Sequence, residues 1–359
     1  MMRNGVGKRK KIIVALSGGV DSAVAAALLK KQGHEVAGVF LNLGNWGNRG
    51  LANAKKITAK LKIPLKVIDA RKVFKKRVIN YFLDAYKNGL TPNPCVVCNK
   101  EIKFDLLFRL MRKLKADYVA TGHYARKVKS QMSNVKSKEV FIYKLLQAKD
   151  KTKDQSYFLY RLSQKDLSKI IFPLGDYKKL EVKNLAKRMG LPTAKEESQD
   201  ICFVRDNGVN QFLRQCIKMK PGKIVDMDGN ILGKHQGLPL YTIGQRKGIE
   251  IGGTGPYFVV GKDVQKNELI VTNDQRKLLA KKFWVSRVNW VRPYTKIFRQ
   301  RRFGVGVKIR YRADKFSAII RKSGNRYIIS TKKKLRAVTT GQSAVFYRNK
   351  EVLGGGIIL

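Results

Sequence analysis

The sequence predicts an α/β fold that begins with a doubly wound parallel sheet and continues into two mostly β domains, the last an antiparallel β-barrel. Strand-like and helix-like segments alternate up to Ala120, as in a parallel sheet covered by helices on both faces. Beyond about residue 210 the pattern changes to short strands of alternating polarity. The length of 359 residues allows three domains, which we expect at 1–208, 209–282 and 283–359, the middle one small and β-rich.

The first domain opens with the apolar run Lys11–Leu16, which predicts a strand buried on both faces, followed by an Ala/Leu-rich helix at Ala23–Lys30. The next elements continue this alternation. They are strands at Glu35–Leu41, Leu65–Asp69 and Asp117–Ala120, with helices at Leu51–Leu61 and Val73–Lys87. Ligands of such sheets bind at the carboxyl ends of the strands, so the segment after Leu16 and the residue Leu41 are expected at a binding site.

The later elements are predicted from turns and alternation. Lys127–Lys151 is typical of a hairpin, and a helical pattern then runs to Met189, where Gly and Pro end it. Asp228-Gly229 between apolar runs predicts a hairpin turn. Phe303–Leu359 alternates apolar and basic residues, as expected for a barrel. Its polar face carries Lys308, Arg310, Arg312 and Lys315. Such a face suits a phosphate backbone, although a solvated sheet face explains some of these residues.

The charge of the chain indicates a polyanionic partner. Lys and Arg number 76 against 25 Asp and Glu, a formal charge of +51 spread along the whole sequence. Nucleic acid is the expected partner, with affinity that falls steeply with salt. No apolar run of about 18 residues is present, so we expect no membrane span. Four cysteines are too few for a secreted disulfide framework, which makes a reducing cytoplasm the natural setting.

The string Ser17-Gly18-Gly19-Val20-Asp21-Ser22 lies between the first strand and the first helix. Two glycines let backbone N–H groups converge, and two serine hydroxyls add donors at the positive end of the helix. This composition predicts an anion site of a size that suits pyrophosphate. The string lacks the patterns of a P-loop and of a dinucleotide site. It resembles the PP-loop of ATP pyrophosphatases, which split ATP between the α and β phosphates.

Two cysteine segments are candidates for thiol chemistry. In Gly89–Lys100, two prolines and an asparagine predict an extended, exposed loop, and a helix is expected to begin near Cys98. A cysteine at a helix N-terminus has a lowered pKa, and Lys100 and Lys103 would lower it further. Cys202 lies in a polar loop and looks buried. Alternatively, Cys95, Cys98 and Cys202 could hold an iron–sulfur cluster, whereas a structural zinc site would need further ligands.

Motifs along the whole chain resemble the bacterial tRNA-specific 2-thiouridylases of the PP-loop ATP pyrophosphatase superfamily, whose first domain is HUP-like. The matching segments are Ser17–Ser22, Thr91–Pro94 with Cys98–Phe104, Thr121–Tyr124, Lys153–Leu159, Ser198–Phe203, Gly233–His235, Tyr241–Gly248, Gly341–Tyr347 and Gly354–Gly356. A single motif of this kind would be weak, but this many in one order are specific. The resemblance implies ATP-dependent 2-thiolation of the wobble uridine of tRNA, with ATP and Mg²⁺ as cofactors.

The resemblance also implies roles for individual residues. Cys98 would be the nucleophile and Cys202 the persulfide carrier, and the two would form a redox-active disulfide. A sulfur-relay carrier protein or a cysteine desulfurase would supply the sulfur. The ATP contacts would be Ala15, Leu16, Ser17, Gly18, Gly19, Val20, Asp21, Ser22, Leu41 and Gly122. The target base would lie against Asn93, Pro94 and Cys95. The tRNA contacts would be His123, Lys153, Asp154, Gln155, Arg310, Tyr311 and Gln342.

Two features depart from the family. Some members carry Asp in place of Cys95, and the loop Asn42–Asn48 is neutral where relatives tend to place charge. Two other functions stay open on the residues alone. One is a PP-loop ligase or amidotransferase acting on a small metabolite, which would leave both cysteines and the basic barrel without a role. The other is an RNA-binding protein without catalysis, against which the intact PP-loop argues.

Overall fold

The structure of the protein is a computed structural model. It describes residues 8–44, 48–135, 138–192, 201–204, 208–249, 251–252, 255–292 and 302–359. Part of the neutral loop Asn42–Asn48 and the motif residues Ser198–Asp200 lie outside the described residues.

The described residues form nine α-helices and seventeen strands. The helices are α1 Val20–Lys31, α2 Asn48–Lys60, α3 Arg71–Phe74, α4 Asn80–Lys87, α5 Pro94–Cys98, α6 Asp105–Lys113, α7 Gln164–Ser168, α8 Lys179–Arg188 and α9 Gly208–Cys216. The strands are β1 Lys11–Ala15, β2 Glu35–Asn42, β3 Leu65–Asp69, β4 Tyr118–Ala120, β5 Ala125–Val135, β6 Lys138–Gln147, β7 Ile170–Ile171, β8 Gly222–Val225, β9 Ile231–His235, β10 Phe258–Asp263, β11 Glu268–Thr272, β12 Leu279–Trp290, β13 Arg302–Lys308, β14 Phe316–Ser323, β15 Arg326–Arg336, β16 Ser343–Arg348 and β17 Glu351–Ile358.

The N-terminal region contains the predicted parallel sheet, in the order β3-β2-β1-β4-β7. β1 is central and apolar, and its residues Ile12, Ile13 and Val14 are at most 1% exposed. A strand covered on both faces needs apolar side chains at every position, which explains the continuous run in the sequence. The carboxyl ends of β1 and β4 therefore lie side by side, and the segments that follow them meet there.

The central region is a four-stranded sheet in the order β10-β11-β8-β9. Its hairpin β8–β9 turns at Gly229, whose φ of +92° is a conformation that glycine adopts without strain. This sheet packs against the N-terminal region, because Ile224 and Val259 share a buried cluster with Phe82 and Phe203. The two regions therefore have a continuous apolar core.

The C-terminal region is a closed antiparallel barrel of six strands. The strand order is β12-β15-β14-β13-β16-β17, and pairing of β12 with β17 closes it. The hairpin β5–β6, from the N-terminal half of the chain, adds to β17 through the pairs Leu145 with Val352 and Leu146 with Glu351. The predicted fold class is thus confirmed, and the barrel sheet additionally recruits a distant hairpin. Within the described ranges, no helix is long and apolar enough to cross a membrane.

Candidate active site

The loop Ser17–Ser22, here called the phosphate loop, connects the end of β1 to the first turn of α1. The Ser17 amide donates to Ser22 Oγ at 3.1 Å, and the two serine hydroxyl oxygens are 3.3 Å apart. Ser22 Oγ donates in turn to the Gly19 carbonyl at 2.9 Å. These bonds hold amide and hydroxyl groups together at the N-terminus of a 12-residue helix. The positive end of the helix dipole makes this a favourable place for a phosphate.

Two glycines allow other backbone segments to enclose this loop. Gly18 has a φ of +84°, and a Cβ on it would lie 2.4 Å from the carbonyl oxygen of Gly50 in α2. Gly122 follows β4, and a Cβ on it would lie 2.8 Å from the amide nitrogen of Ser22. Neither position accepts a side chain unless the backbone moves. The loop is therefore bounded by α2 and by the segment after β4.

Asp21, in the first turn of α1, is bound by two residues from distant parts of the chain. Lys179 Nζ, at the start of α8, lies 2.7 Å from each carboxylate oxygen. The Tyr124 hydroxyl donates to Asp21 Oδ1 at 2.8 Å. The side chains of Lys179 and Asp21 are 15% and 32% exposed, so water screens this ion pair only in part. The carboxylate is neutralised within the protein.

The segment Asp150–Gln155 is bonded to the same residues. Gln155 Oε1 accepts from the Tyr124 amide at 3.0 Å, and the Gln155 amide donates to the Tyr124 carbonyl at 2.8 Å. Asp150 Oδ2 accepts from the Lys179 amide at 2.9 Å. Half-buried Lys153 lies in this segment. The segment Asp150–Gln155, which contains predicted tRNA-binding residues, therefore connects to the phosphate loop through Tyr124 and Lys179.

The Asp154 side chain has a structural position, and a contact of this residue with tRNA stays a prediction. The residue is only 5% exposed. Its Oδ1 accepts from the amides of Ala148 at 3.0 Å and Ser156 at 3.2 Å. Its Oδ2 accepts from the Gln147 amide group at 2.8 Å and the Ser156 hydroxyl at 3.0 Å. Because these donors occupy both oxygens, the Asp154 carboxylate orders the segment.

Cys98 lies inside a continuous helical run and not at its start. α5 begins at Pro94, with Asn93 as N-cap. Proline suits this first position because its φ is preset and its missing N–H would have had no partner. A π-helical turn at Asn99–Phe104 joins α5 to α6. The expected extended loop up to Lys100, and the expected helix start near Cys98, are therefore wrong.

The predicted lowering of the Cys98 pKa is also wrong. Cys98 is the last residue of α5 and is 5% exposed, and desolvation raises the pKa of its thiol to about 12. Attraction to Lys103 opposes this rise without cancelling it. Lys100 contributes nothing here, since its ammonium forms an ion pair with Asp166. A buried thiol with a pKa raised in this way stays protonated at neutral pH unless its surroundings change.

Three thiols interact electrostatically with Lys103. Desolvation lowers the pKa of Lys103, but attraction to Cys98, Cys202 and Cys95 outweighs it, so that the net pKa is raised. Cys202 also influences Cys98 directly. The fold therefore brings together the two cysteines that the sequence motifs single out. Both are free thiols in this structure.

Cys202 is exposed, contrary to the expectation that it is buried. Desolvation by the surrounding protein atoms nevertheless raises the pKa of its thiol, and attraction to Lys103 offsets part of the rise. Half-buried Ile201 and buried Phe203 flank it. The Phe203 ring packs edge-on against Phe82, with centroids 5.2 Å apart. These neighbours anchor the segment while its thiol remains accessible to a second molecule.

Cys95, Cys98, Cys202 and Lys103 together are here called the thiol site. His123 lies beside it. Its Nδ1 is 2.9 Å from Thr121 Oγ1, and its ring stacks on Phe104 with centroids 6.1 Å apart. Desolvation, reinforced by the charge of Lys103, lowers the pKa of His123 to about 3. The imidazole is therefore neutral at physiological pH, and it can contact RNA only as a neutral group.

The segment Thr121–Tyr124 joins the two sites. Gly122 packs against Ser22 of the phosphate loop, and the next residue, His123, interacts with Lys103 of the thiol site. Tyr124 then bonds to Asp21. Because these are consecutive residues, the phosphate loop and the thiols lie on either side of one short segment.

The thiols do not fit an iron–sulfur cluster. In the part of the chain that the structure describes, which includes Cys95, Cys98 and Cys202, no group of three or more Cys, His, Asp or Glu is arranged to hold a metal ion. A lysine ammonium that is attracted to all three thiols is also a poor neighbour for iron. The loop Ser17–Ser22 contains one carboxylate, Asp21, which is a ligand type that Mg²⁺ uses together with substrate phosphates; in this structure both of its oxygens contact Lys179.

A basic cavity lies where the barrel meets the other two regions. Its volume is about 360 Å³, and Arg310, Arg336 and Gln342 contribute from the barrel. The other lining residues are Thr91, Thr242, Ile243, Gly244, Gln245 and Thr339. Arg310 Nη2 donates to the Ala337 carbonyl at 2.6 Å. Desolvation and the charge of Arg336 lower the pKa of Arg310, which shows that the two guanidinium groups are close.

Tyr311 packs against a motif of the N-terminal half of the chain. Its ring centroid is 4.5 Å from that of Phe158 and 6.1 Å from that of Tyr157. The Tyr157 hydroxyl donates to the Ser343 carbonyl at 2.8 Å. The predicted tRNA residues Arg310 and Tyr311 are therefore placed at the junction of the barrel with the candidate active site.

Sequence reasoning missed Lys179. It belongs to none of the motifs and starts a helix with several other lysines. Its partner Asp21 lies 158 positions away, so no local pattern connects them. Leu41, predicted near the nucleotide, is half-buried at the end of β2 and packs on the core that contains Val39.

Three family descriptions match consecutive parts of the chain. They are a tRNA methyl transferase HUP domain over residues 10–206, a tRNA methyl transferase PRC-barrel domain over 210–273 and an aminomethyltransferase beta-barrel domain over 280–358. A solved structure of NMN synthetase from Francisella tularensis is also similar, at 18% identity and a TM-score of 0.31 over 52% of this chain and 63% of that one. This second likeness is too weak to support a conclusion.

Curated relatives match over nearly the full length. A protein of Chloroflexus aurantiacus named tRNA-specific 2-thiouridylase MnmA is 42% identical over 97% of this chain and 98% of its own. A Bacillus subtilis protein of the same name is 40% identical over 97% of this chain and 94% of its own. Because the identity is 40% or more and covers all three regions, the chain belongs to the tRNA-specific 2-thiouridylase family.

Proposed function

We propose that this protein is an ATP-dependent sulfurtransferase that 2-thiolates the wobble uridine of tRNA. The observation that carries the proposal is the segment Thr121–Tyr124, which has the phosphate loop on one side and the thiol site on the other. A base bound beside this segment would face both an ATP α-phosphate and a sulfur-bearing cysteine. The family names and the strong positive charge of the chain support tRNA as the substrate.

The first step activates the base. The C2 oxygen of uridine is a poor leaving group, so it attacks the α-phosphate of ATP and becomes an AMP ester, while pyrophosphate leaves. Amide and hydroxyl groups of Ser17–Ser22 would hold the departing pyrophosphate. Mg²⁺, held by Asp21 and phosphate oxygens, would supply positive charge against the polyphosphate. Orientation of the base oxygen in line with the α-phosphate is the main contribution of the protein to this step.

The second step delivers sulfur. A sulfur-relay carrier protein or a cysteine desulfurase would load Cys202, which is the exposed thiol of the pair, as a persulfide. The Cys98 thiolate attacks Cys202 Sγ of the persulfide, the bond between Cys202 Sγ and the outer sulfur breaks, and hydrosulfide leaves as the Cys98–Cys202 disulfide forms. Hydrosulfide adds to C2 of the adenylated base, and AMP leaves with the original oxygen. A thiol reductant then supplies two electrons and two protons to reopen the disulfide.

Lys103 would support the thiol that reacts. The Cys98 thiolate needs a cation because burial raises the pKa of its thiol to about 12, and Lys103 provides that charge. The target base would enter beside Asn93, Pro94 and Cys95, at the start of the helix that carries Cys98. An extruded base is expected, since an enzyme must unstack a base before it can act on it.

The experiment is thiolation of unmodified tRNA with ATP, Mg²⁺ and a persulfide donor, with iron excluded. We expect 2-thiouridine from the wild type and from Cys216→Ala, a matched control because Cys216 is exposed and belongs to none of the motifs. Cys98→Ala and Cys202→Ala should give none. Pyrophosphate release should depend on tRNA. Release that depends instead on a small metabolite, or no release at all, would favour the ligase and the non-catalytic alternatives respectively.

A further inference from the structure

Lys179 is part of the nucleotide site although no motif contains it. Its ammonium lies 2.7 Å from both carboxylate oxygens of Asp21, within the phosphate loop itself. Its backbone is fixed as well, because its amide donates to Asp150 Oδ2 at 2.9 Å. With a side chain only 15% exposed, Lys179 is directed into the protein and not toward solvent.

The charge balance of the loop suggests what this ammonium does. A carboxylate beside the amide groups that receive phosphate would repel a polyphosphate, and at the short distances of a partly shielded site this repulsion is substantial. Lys179 cancels that charge in the free protein. A phosphate oxygen that enters the loop competes with Asp21 for the same ammonium. The polyphosphate to which this oxygen belongs carries more negative charge than one carboxylate.

We propose, on the basis of the proposed function, that Lys179 is a pyrophosphate-binding residue. When ATP enters, the ammonium exchanges Asp21 for an oxygen of the β- or γ-phosphate, and it remains with pyrophosphate after the α–β bond breaks. The exchange frees the Asp21 carboxylate, a ligand type that Mg²⁺ accepts. Lys179 thus distinguishes the pyrophosphate half of ATP from the AMP half, which stays with the substrate.

The Tyr124 hydroxyl makes the exchange possible without leaving Asp21 unpaired. It donates to Asp21 Oδ1 at 2.8 Å and keeps this bond when the lysine moves. The Lys179 ammonium also lies 5.8 Å from the centroid of the Tyr124 ring, so it is attracted to the ring face on its way. The carboxylate would then have one hydrogen bond and one free oxygen.

The test is calorimetric titration with ATP, pyrophosphate and AMP in EDTA, using the full-length protein. Lys179→Met should weaken ATP and pyrophosphate binding roughly 10- to 100-fold, because one charge-assisted hydrogen bond is lost, and should leave AMP binding within about twofold. Lys187→Met, an exposed lysine near the other end of the same helix, is the matched control and should resemble the wild type. Equal pyrophosphate affinity in Lys179→Met and the wild type would overturn the proposal.

Two further variants cover the chance that Lys179→Met misfolds around an unpaired carboxylate. Asp21→Asn should bind pyrophosphate at least as tightly as the wild type in EDTA, since the lysine is released. Adding Lys179→Met to Asp21→Asn should remove that affinity, and no loss in this pair would equally contradict the role of Lys179. If the wild type binds neither ATP nor pyrophosphate, in EDTA or with Mg²⁺ added, the proposed function fails together with this inference, whereas normal binding in Lys179→Met defeats the inference alone.

Discussion

The Gln342 side-chain amide donates to the carbonyl oxygen of Thr91 at 3.1 Å, and this bond ties the barrel to the segment that precedes Cys98. The Thr91 amide donates to the Thr340 carbonyl at 3.0 Å. Gly341 lies so close that a Cβ on it would be 3.0 Å from Thr91 backbone atoms. The barrel therefore fixes the approach to α5, and a tRNA bound on the barrel would act on the helix that carries Cys98 through this contact.

We predict that Gln342→Leu lowers kcat for thiolation roughly fivefold with a smaller change in the Kd for tRNA. The substitution removes a donor to the Thr91 carbonyl, and one such bond contributes about 1 kcal/mol. Single-turnover thiolation and tRNA binding should be measured in parallel. Gln275→Leu, at an exposed position just before the first barrel strand, is the control. A loss confined to tRNA affinity would show that Gln342 contacts tRNA and does not position the Thr91 segment.

We predict that Asp154→Ala destabilises the segment between β6 and Tyr157. The change leaves the buried amides of Ala148 and Ser156 without acceptors, at a cost of roughly 3 kcal/mol. Hydrogen exchange of these two amides should accelerate, and the thermal midpoint should fall. Asp314→Ala, an exposed aspartate, should change neither quantity. Unchanged exchange together with weakened tRNA binding would support Asp154 as a contact residue.

We predict that Lys103→Met slows alkylation of Cys98. The experiment needs a variant in which Cys98 is the sole cysteine, with iodoacetamide rates followed from pH 7 to 10. The lysine charge lowers the pKa of a thiol that burial raises to about 12, so its removal moves that pKa further up. Each pKa unit reduces the thiolate fraction, and hence the rate, about tenfold. Lys113→Met, at the exposed end of α6, should react as the parent does, and equal rates in Lys103→Met would remove Lys103 from the thiol site.

The sequence was informative wherever local pattern decides structure. Apolar runs predicted β1 and β2, and Asp228-Gly229 predicted a hairpin turn, because buried strands and tight turns restrict residue type locally. The helix at Pro94–Cys98 was harder to predict, since proline begins a helix as readily as it prevents one. Two prolines in one short segment therefore favoured the wrong reading, and with it the wrong pKa direction for Cys98.

Long-range contacts could not be predicted from pattern. The ion pair of Lys179 with Asp21 spans 158 positions, and the pairing of β6 with β17 joins opposite halves of the chain. An exposed lysine and a site lysine look alike in a sequence with 76 Lys and Arg. Burial of Asp154 was hidden for a similar reason, because two of its four donors are backbone amides, which nearly every residue possesses.

The last prediction concerns stability against pH. In the folded protein desolvation and the Lys103 charge lower the pKa of His123 to about 3, from an ordinary value of 6.5. Between these values the unfolded chain holds one more proton at this site than the folded protein does. Stability from His123 is therefore complete above pH 6.5 and is lost as the pH falls toward 3, at about 1.4 kcal/mol per pH unit.

His123→Asn removes this dependence. The unfolding free energy of the wild type minus that of His123→Asn should therefore decrease as the pH is lowered from 7 to 4. The contributions of the other titrating groups cancel in this comparison. Chemical denaturation at several pH values measures it. Parallel curves for the two proteins would mean that His123 titrates in the folded protein as it does in the unfolded chain. The conclusion that the imidazole between the phosphate loop and the thiols stays neutral would then be wrong.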